Sequence, residues 1–207
     1  DYHEFLSNFG SYLDIEKPSL LSNISYFINF QLSKMYFRYF MWNFSGRQND
    51  KQWKYDLENG NWISGINLID EYRLGPQKNL PSDVINNKAR NQYYLIPFIL
   101  GIIGLIFIFK KNLKIFWPIF LLFIFTGIAL KFYLNERVFE PRERDYALVG
   151  SFYTYCIFIG FSFIAISEYF LKYLKNNFSF LLAIVITVTS PILLSLIHIS
   201  EPTRPSR

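Results

Sequence analysis

The run ALVGSFYTYCIFIGFSFIAIS, Ala147–Ser167, holds 21 residues without a charge. A spanning helix needs about 20 apolar residues, and at 1.5 Å per residue such a length covers about 30 Å, the hydrocarbon thickness of a bilayer. Three other runs share this character. Tyr93–Phe109 has 17 uncharged residues, Phe178–Leu193 has 16, and Ile115–Leu130 has 16, extending to Leu134 where Lys131 snorkels to the interface. Four such runs in succession leave too little polar surface to cover them as buried helices of a soluble core. The fold expected is therefore an all-α polytopic membrane protein with four transmembrane helices, at about 93–109, 115–134, 147–167 and 178–193, the last truncated. Gly101 and Gly104 are three apart, not the four of a GxxxG face, and carry no packing expectation.

Charge sets the orientation. Residues 1–92 carry ten basic and ten acidic side chains, residues 93–207 eleven and six, so the whole +5 lies in the apolar part. A basic excess there points to membrane topology, and with no long basic run or nucleic-acid motif a nucleic-acid partner is not expected. Lys110, Lys111 and Lys114 lie in one short loop without an acid, and Lys172 and Lys175 in another. Loops 110–114 and 168–177 are expected to face the cytoplasm, and residues 1–92 and loop 131–146 the periplasm, in the inner membrane of a bacterium. The lone Cys156 sits inside an apolar run, where a thiol is most often a small buried hydrophobe.

Residues 1–92 are a different material, an extracytoplasmic or interfacial segment of helix and loop. After Pro18 and Ser19, the apolar residues Leu21, Ile24, Ile28, Leu32, Met35, Tyr39 and Trp42 recur every three or four positions. Asn23, Asn29, Lys34 and Arg38 make the stretch too polar to span, leaving an amphipathic helix on the membrane or an aromatic-rich core helix. From Gly46 to Pro81 turn signals dominate. The tail breaks composition: Leu194–Arg204 resembles the in-frame translation of a transposon-based sequencing adapter, so 194–207 is expected to be read-through, and His198 and Glu201 receive no role.

No Cys pair or His cluster suggests a metal, no glycine-rich loop suggests a nucleotide, and no cofactor is expected. Two charged constellations remain. In FSGRQNDKQW, Phe44–Trp53, Arg47 suits a phosphate and Asp50 a proton or sugar hydroxyl beside Asn49; equally, these residues cap and pair in a solvated turn. In EPRERDYALVGSFYTY, Glu140–Tyr155, the residues Arg142, Glu143, Arg144 and Asp145 stand at the outer mouth of the third helix. Its dipole favours the two acids. The two arginines either pair with those acids or hold the phosphate of a lipid carrier.

The segments YFRYFMWNFSGRQND, NGNWISGINLIDEYRLGPQ, NKARNQYYLIPFILGIIGL and PRERDYALVGSFY resemble, in order, the middle part of a bacterial family of large membrane proteins with a domain of unknown function. That family is related to a eukaryotic transmembrane protein O-mannosyltransferase. The resemblance covers about Leu20–Ala165 and implies the C-type glycosyltransferase superfamily, polytopic enzymes that move a sugar from a polyprenyl-phosphate carrier to an acceptor, here a protein, on the outer membrane face. It implies a catalytic carboxylate in a loop outside this chain, so no residue here takes that role, and the chain alone is expected to be inactive. Arg142 and Arg144 would stabilise the departing phosphate. The rival is a non-catalytic membrane scaffold or transporter-like subunit. Transport is weakened by the lack of ionisable groups between Tyr146 and Glu168.

Overall fold

The computed structural model describes residues 2–10, 18–51, 53, 56–136, 144–174 and 176–200. A short helix α1, Tyr2–Phe9, precedes the first long one. Ser19 starts helix α2: its backbone is extended and its hydroxyl accepts the Ser22 N–H at 3.2 Å. Helix α2 runs as Leu20–Tyr26, then Phe27–Phe37 in wider π turns, then Arg38–Phe44. The N–H of Arg38 reaches back five residues to the Ser33 carbonyl. Of the expected stripe, Met35 and Tyr39 are buried, and past the wide turns the buried face broadens beyond it. Leu21, Ile24 and Ile28 are exposed, whereas Phe30, Met35, Tyr36, Tyr39, Phe40, Met41 and Phe44 are buried. The second half of α2 is thus a core helix and the first half an apolar surface.

After α2 the strand β1, Gly46–Arg47, pairs antiparallel with β2, Asn91–Gln92. Between them lie α3, Asn67–Leu74, and the single turn α4, Ser82–Ile85. Gly46 has φ +149°, and a Cβ there would stand 2.5 Å from the Asn91 carbonyl oxygen, so the pairing needs a glycine.

Helix α5, Ile96–Lys111, starts three residues later than the hydropathy run because Tyr94 and Leu95 are left-handed, at φ 53° and 60°. Asn112 caps helix α6, its Oδ1 accepting the N–H of Lys114 and Ile115. Helix α6 runs as Leu113–Ile124, Phe125–Ala129 in π geometry and Leu130–Leu134. A 3-10 turn, Asp145–Leu148, leads into α7, Val149–Phe170, and α8 follows as Asn176–Ser200.

The protein is mostly helical, and two of its helices, Leu113–Leu134 and Tyr146–Phe170, are long and apolar enough to cross a membrane. Only 11% and 33% of their most apolar windows are buried inside the protein, the reverse of a soluble core helix. Their outward faces want an apolar solvent. Helix α5, at 16 residues, covers about 24 Å at 1.5 Å per residue, short of a full span, and the apolar part of α8 among the described residues is Asn177–Thr189.

Helix α5 lies against α7 through its glycines, contrary to the expectation that they matter little. A Cβ at Gly104 would overlap the Phe158 carbonyl oxygen, and one at Gly101 would overlap the Tyr155 ring. On the α7 side the backbone of the buried Ser162 also comes close to Gly104, while Ser151 of the same helix meets Gly127 of α6 and Tyr36 of α2. The Tyr155 hydroxyl donates to the Phe98 carbonyl at 2.7 Å, tying the helices across an apolar interface. Phe40 and Phe44 of α2 pack on Tyr155 with ring centroids 4.7 and 4.6 Å away, which docks α2 onto the later helices. At the opposite end Lys111 pairs with Glu168, so the loops after α5 and α7 lie at one end. Cys156 is exposed on α7, not buried as its apolar context suggested.

Candidate functional site

The first constellation is largely architectural. The backbone N–H of Arg47 donates to Asn91 Oδ1 at 2.8 Å and its Nε to the Ala89 carbonyl at 3.2 Å. Gln48 and Asn49 act as surrogate backbone for the turn opposite. Gln48 Nε2 donates to the Leu57 carbonyl and its Oε1 accepts the Asn61 N–H. Asn49 Nδ2 donates to the Glu58 carbonyl while its Oδ1 accepts the N–H of Gly60 at 2.8 Å and of Lys51 at 3.2 Å. Asn49 is therefore committed to the fold. Asp50 is exposed at the edge of this turn. Asp70, buried on α3, likewise closes a turn, accepting the N–H of Ser64 and Gly65 and the Ser64 hydroxyl.

Beside this frame lies a shelf of cations on indole faces. Arg73 of α3 lies over Trp62 with its guanidinium carbon 3.4 Å from the ring centroid, and donates to the Trp62 carbonyl at 3.1 Å. Lys34 of α2 lies over Trp53 at 4.6 Å. Arg38, one turn further on, stacks on Tyr39 and Trp42 and donates to the carbonyls of Lys34 and Gly60. Arg47 faces Trp42 from the other side at 5.5 Å. These groups feel one another: burial, and after it the charges of Arg73 and Arg38, hold the Lys34 ammonium below its ordinary value of 10.5. Burial lowers Arg73 to about 10, partly countered by Asp70. The Trp42 Nε1 is a buried donor without an acceptor. Cations clustered on aromatic faces suit an anion next to a sugar ring or another flat group.

Sequence reasoning identified Arg47 here but missed Lys34, Arg38 and Arg73. Lys34 and Arg38 stand four apart, a spacing that puts both on one side of a helix and that was available as a signal. The arrival of Arg73 needs the turn Ser64–Ile66 closed by Asp70, which no local pattern announces.

Of the second constellation, Arg142 and Glu143 lie outside the described residues, as does the whole of 137–143. Arg144 is exposed, and its carbonyl accepts the Ala147 N–H at 3.3 Å. Asp145 opens the 3-10 turn that leads into α7.

The start of that loop holds a finding of a different kind. Lys131 does not snorkel. It is fully buried, and its Nζ donates to Glu136 Oε2 at 2.7 Å, with both side chains at most 1% exposed. Asn135, left-handed at φ 41°, ends α6 and folds Glu136 back onto it. The Glu136 carbonyl accepts from Gln31 Nε2 at 2.6 Å and from the Tyr26 hydroxyl at 2.9 Å, fastening α2 to the end of α6.

Among the described residues no group of three or more His, Cys, Asp or Glu side chains could hold a metal ion. No protein family, curated protein or solved structure matches the chain.

Proposed function

We propose that the chain is part of a polytopic membrane glycosyltransferase, similar to protein O-mannosyltransferases, that takes a sugar from a polyprenyl-phosphate carrier on the periplasmic face of a bacterial inner membrane. The observation that carries this is the cation-and-indole shelf of Lys34, Arg38, Arg73, Trp53 and Trp62, joined to a bundle whose outward surface is apolar. A lipid carrier brings a phosphate and a sugar together at the membrane surface, and guanidinium and indole groups match those two moieties. Arg142 and Arg144, in the loop expected to face the periplasm before the third apolar run, would add charge to the departing phosphate.

In this arrangement the four apolar helices all enter the bilayer. Helix α5, short of a full span by itself, is extended by the Tyr93–Leu95 turn and held to depth by α7. Loops 110–114 and 168–177 face the cytoplasm with their lysines, and the Lys111–Glu168 pair supports their being on one side. The catalytic carboxylate comes from outside this chain. A non-catalytic scaffold has one observation in its favour: Gln48, Asn49 and Asp70 all commit their polar atoms to holding turns.

The deciding experiment places the chain in lipid nanodiscs and titrates a short-chain polyprenyl-phosphate mannose. Saturable binding that weakens at least tenfold in both K34Q/R73Q and R142Q/R144Q is the expected result. Unchanged affinity in both double variants overturns the assignment and leaves the scaffold.

A further inference from the structure

Where α6 ends, its last turn and the first half of α2 enclose a cavity of about 620 Å³, inside the range of about 300–1,000 Å³ typical of small-molecule sites. Gln31 and Lys131 form its inner polar wall, Asn23 and Asn135 its rim, and Phe27 and Phe132, edge to face at 5.4 Å, its apolar side. One buried acceptor on this wall lacks a donor: Gln31 is 1% exposed and donates its amide to the Glu136 carbonyl, yet its Oε1 has no partner. Buried acceptors are rarely left unmade, so the site calls for a ligand that donates hydrogen bonds.

Charge decides which donor. The Lys131 ammonium already neutralises the Glu136 carboxylate at 2.7 Å, so an extra ion of either sign would be buried against a balanced pair. An uncharged ligand with several hydroxyls meets no such penalty, and the apolar face of a sugar ring fits against Phe27 and Phe132. The cavity opens beside the exposed Leu21, Ile24 and Ile28, at the end of a helix apolar enough to cross a membrane, where an alkyl tail would continue along the surface. We infer that this cavity binds the uncharged, hydroxyl-rich head group of an amphiphile, a glycosyl ring on a lipid tail, with Gln31 Oε1 accepting one of its hydroxyls. The site stands independently of the transfer reaction proposed above, since it uses none of the cations of the shelf.

The test uses the full chain in phosphatidylcholine nanodiscs, titrated with n-octyl glucoside below its micellar concentration. Octyl phosphocholine, with the same tail and no sugar, is the control. Expected are saturable glucoside binding that the control does not displace, and an affinity loss of roughly three- to tenfold in Q31M, the weight of one hydrogen bond. Because Gln31 also supports the fold, two further variants are read alongside it. N135G keeps the left-handed backbone while removing a rim amide, and I24W narrows the mouth; both should weaken binding with the helical content unchanged. Displacement by a glycosyl diacylglycerol supports the site, whereas displacement by a polyprenyl-phosphate sugar and not by the glycosyl diacylglycerol overturns the assignment to an uncharged head group. Equal binding of both octyl amphiphiles, unaffected by Q31M and I24W, overturns it, as does the absence of saturable glucoside binding to the folded chain.

Discussion

Replacing Gly104 by alanine should destabilise the bundle even though alanine is the better helix former. At an open helical position the exchange gains about 0.8–1.0 kcal/mol of propensity. At Gly104 the new methyl would overlap the backbone carbonyl oxygen of Phe158, which cannot rotate away as a side-chain tip would. Helices α5 and α7 must then separate, and overpacking of this kind costs about 1–3 kcal/mol, the upper part of that range being apt for a backbone clash. The net loss is about 1–2 kcal/mol once the propensity gain is subtracted. Gly160 supplies the internal control, because it lies on α7 with nothing within 4 Å of a built Cβ. G160A should gain up to about 1 kcal/mol, so the two variants differ by about 2–3 kcal/mol. Reversible unfolding in mixed micelles, or steric trapping in bicelles, resolves that gap. If G104A is as stable as G160A, the close approach of α5 and α7 is wrong, and with it the explanation of how a 16-residue helix is held at depth.

Two other outcomes follow from the charged groups. E136A removes the carboxylate that meets the buried Lys131 ammonium and should cost about 3–5 kcal/mol, whereas K131M/E136L should cost much less; the same unfolding assay checks it, and equal losses would show that the pair is not a unit. Lys34 should acylate at lower pH in the folded chain than after unfolding, since burial and the neighbouring charges of Arg73 and Arg38 depress its ammonium below 10.5. The folded chain therefore releases this proton before the unfolded one, and stability rises as pH climbs through the folded value toward 10.5. R73Q should move the reactivity midpoint of Lys34 upward, as read by mass spectrometry; no movement would remove Arg73 from the cluster.

What a single sequence discloses here divides along the kind of information each feature needs. Charge-free runs announce helices in an apolar solvent because hydropathy is additive along the chain, and Ile115–Leu134 and Ala147–Ser167 correspond to the two long apolar helices observed. Helix phase is less secure. The face of α2 was read at a period of 3.6, while the π turns of Phe27–Phe37 bring Phe40 and Phe44 to the core and leave Leu21 and Ile24 outside. The spacing of Gly101 and Gly104 announces no packing face, yet a close helix contact needs only the absence of a side chain where the partner arrives, and Tyr155, Phe158 and Ser162 arrive from 50 or more residues away.

The same logic separates the candidate sites. Arg47, Asn49 and Asp50 were legible as a polar motif, but whether a polar residue serves a ligand or the fold depends on which backbone groups lack partners nearby. Asn49 finds Gly60 and Glu58; that is settled by a turn eleven residues on, not by the motif. Lys131 shows the converse. Within an apolar run a lysine reads as an anchor reaching for water, and the left-handed Asn135 instead returns Glu136 to meet it. Once both charges are buried and paired, any polar atom left over beside them, here Gln31 Oε1, becomes a place where a neutral hydroxyl is favoured over an ion. A reversal of one residue at the end of an apolar helix thus replaces a free cationic end with a buried, charge-balanced one beside an unpaired acceptor.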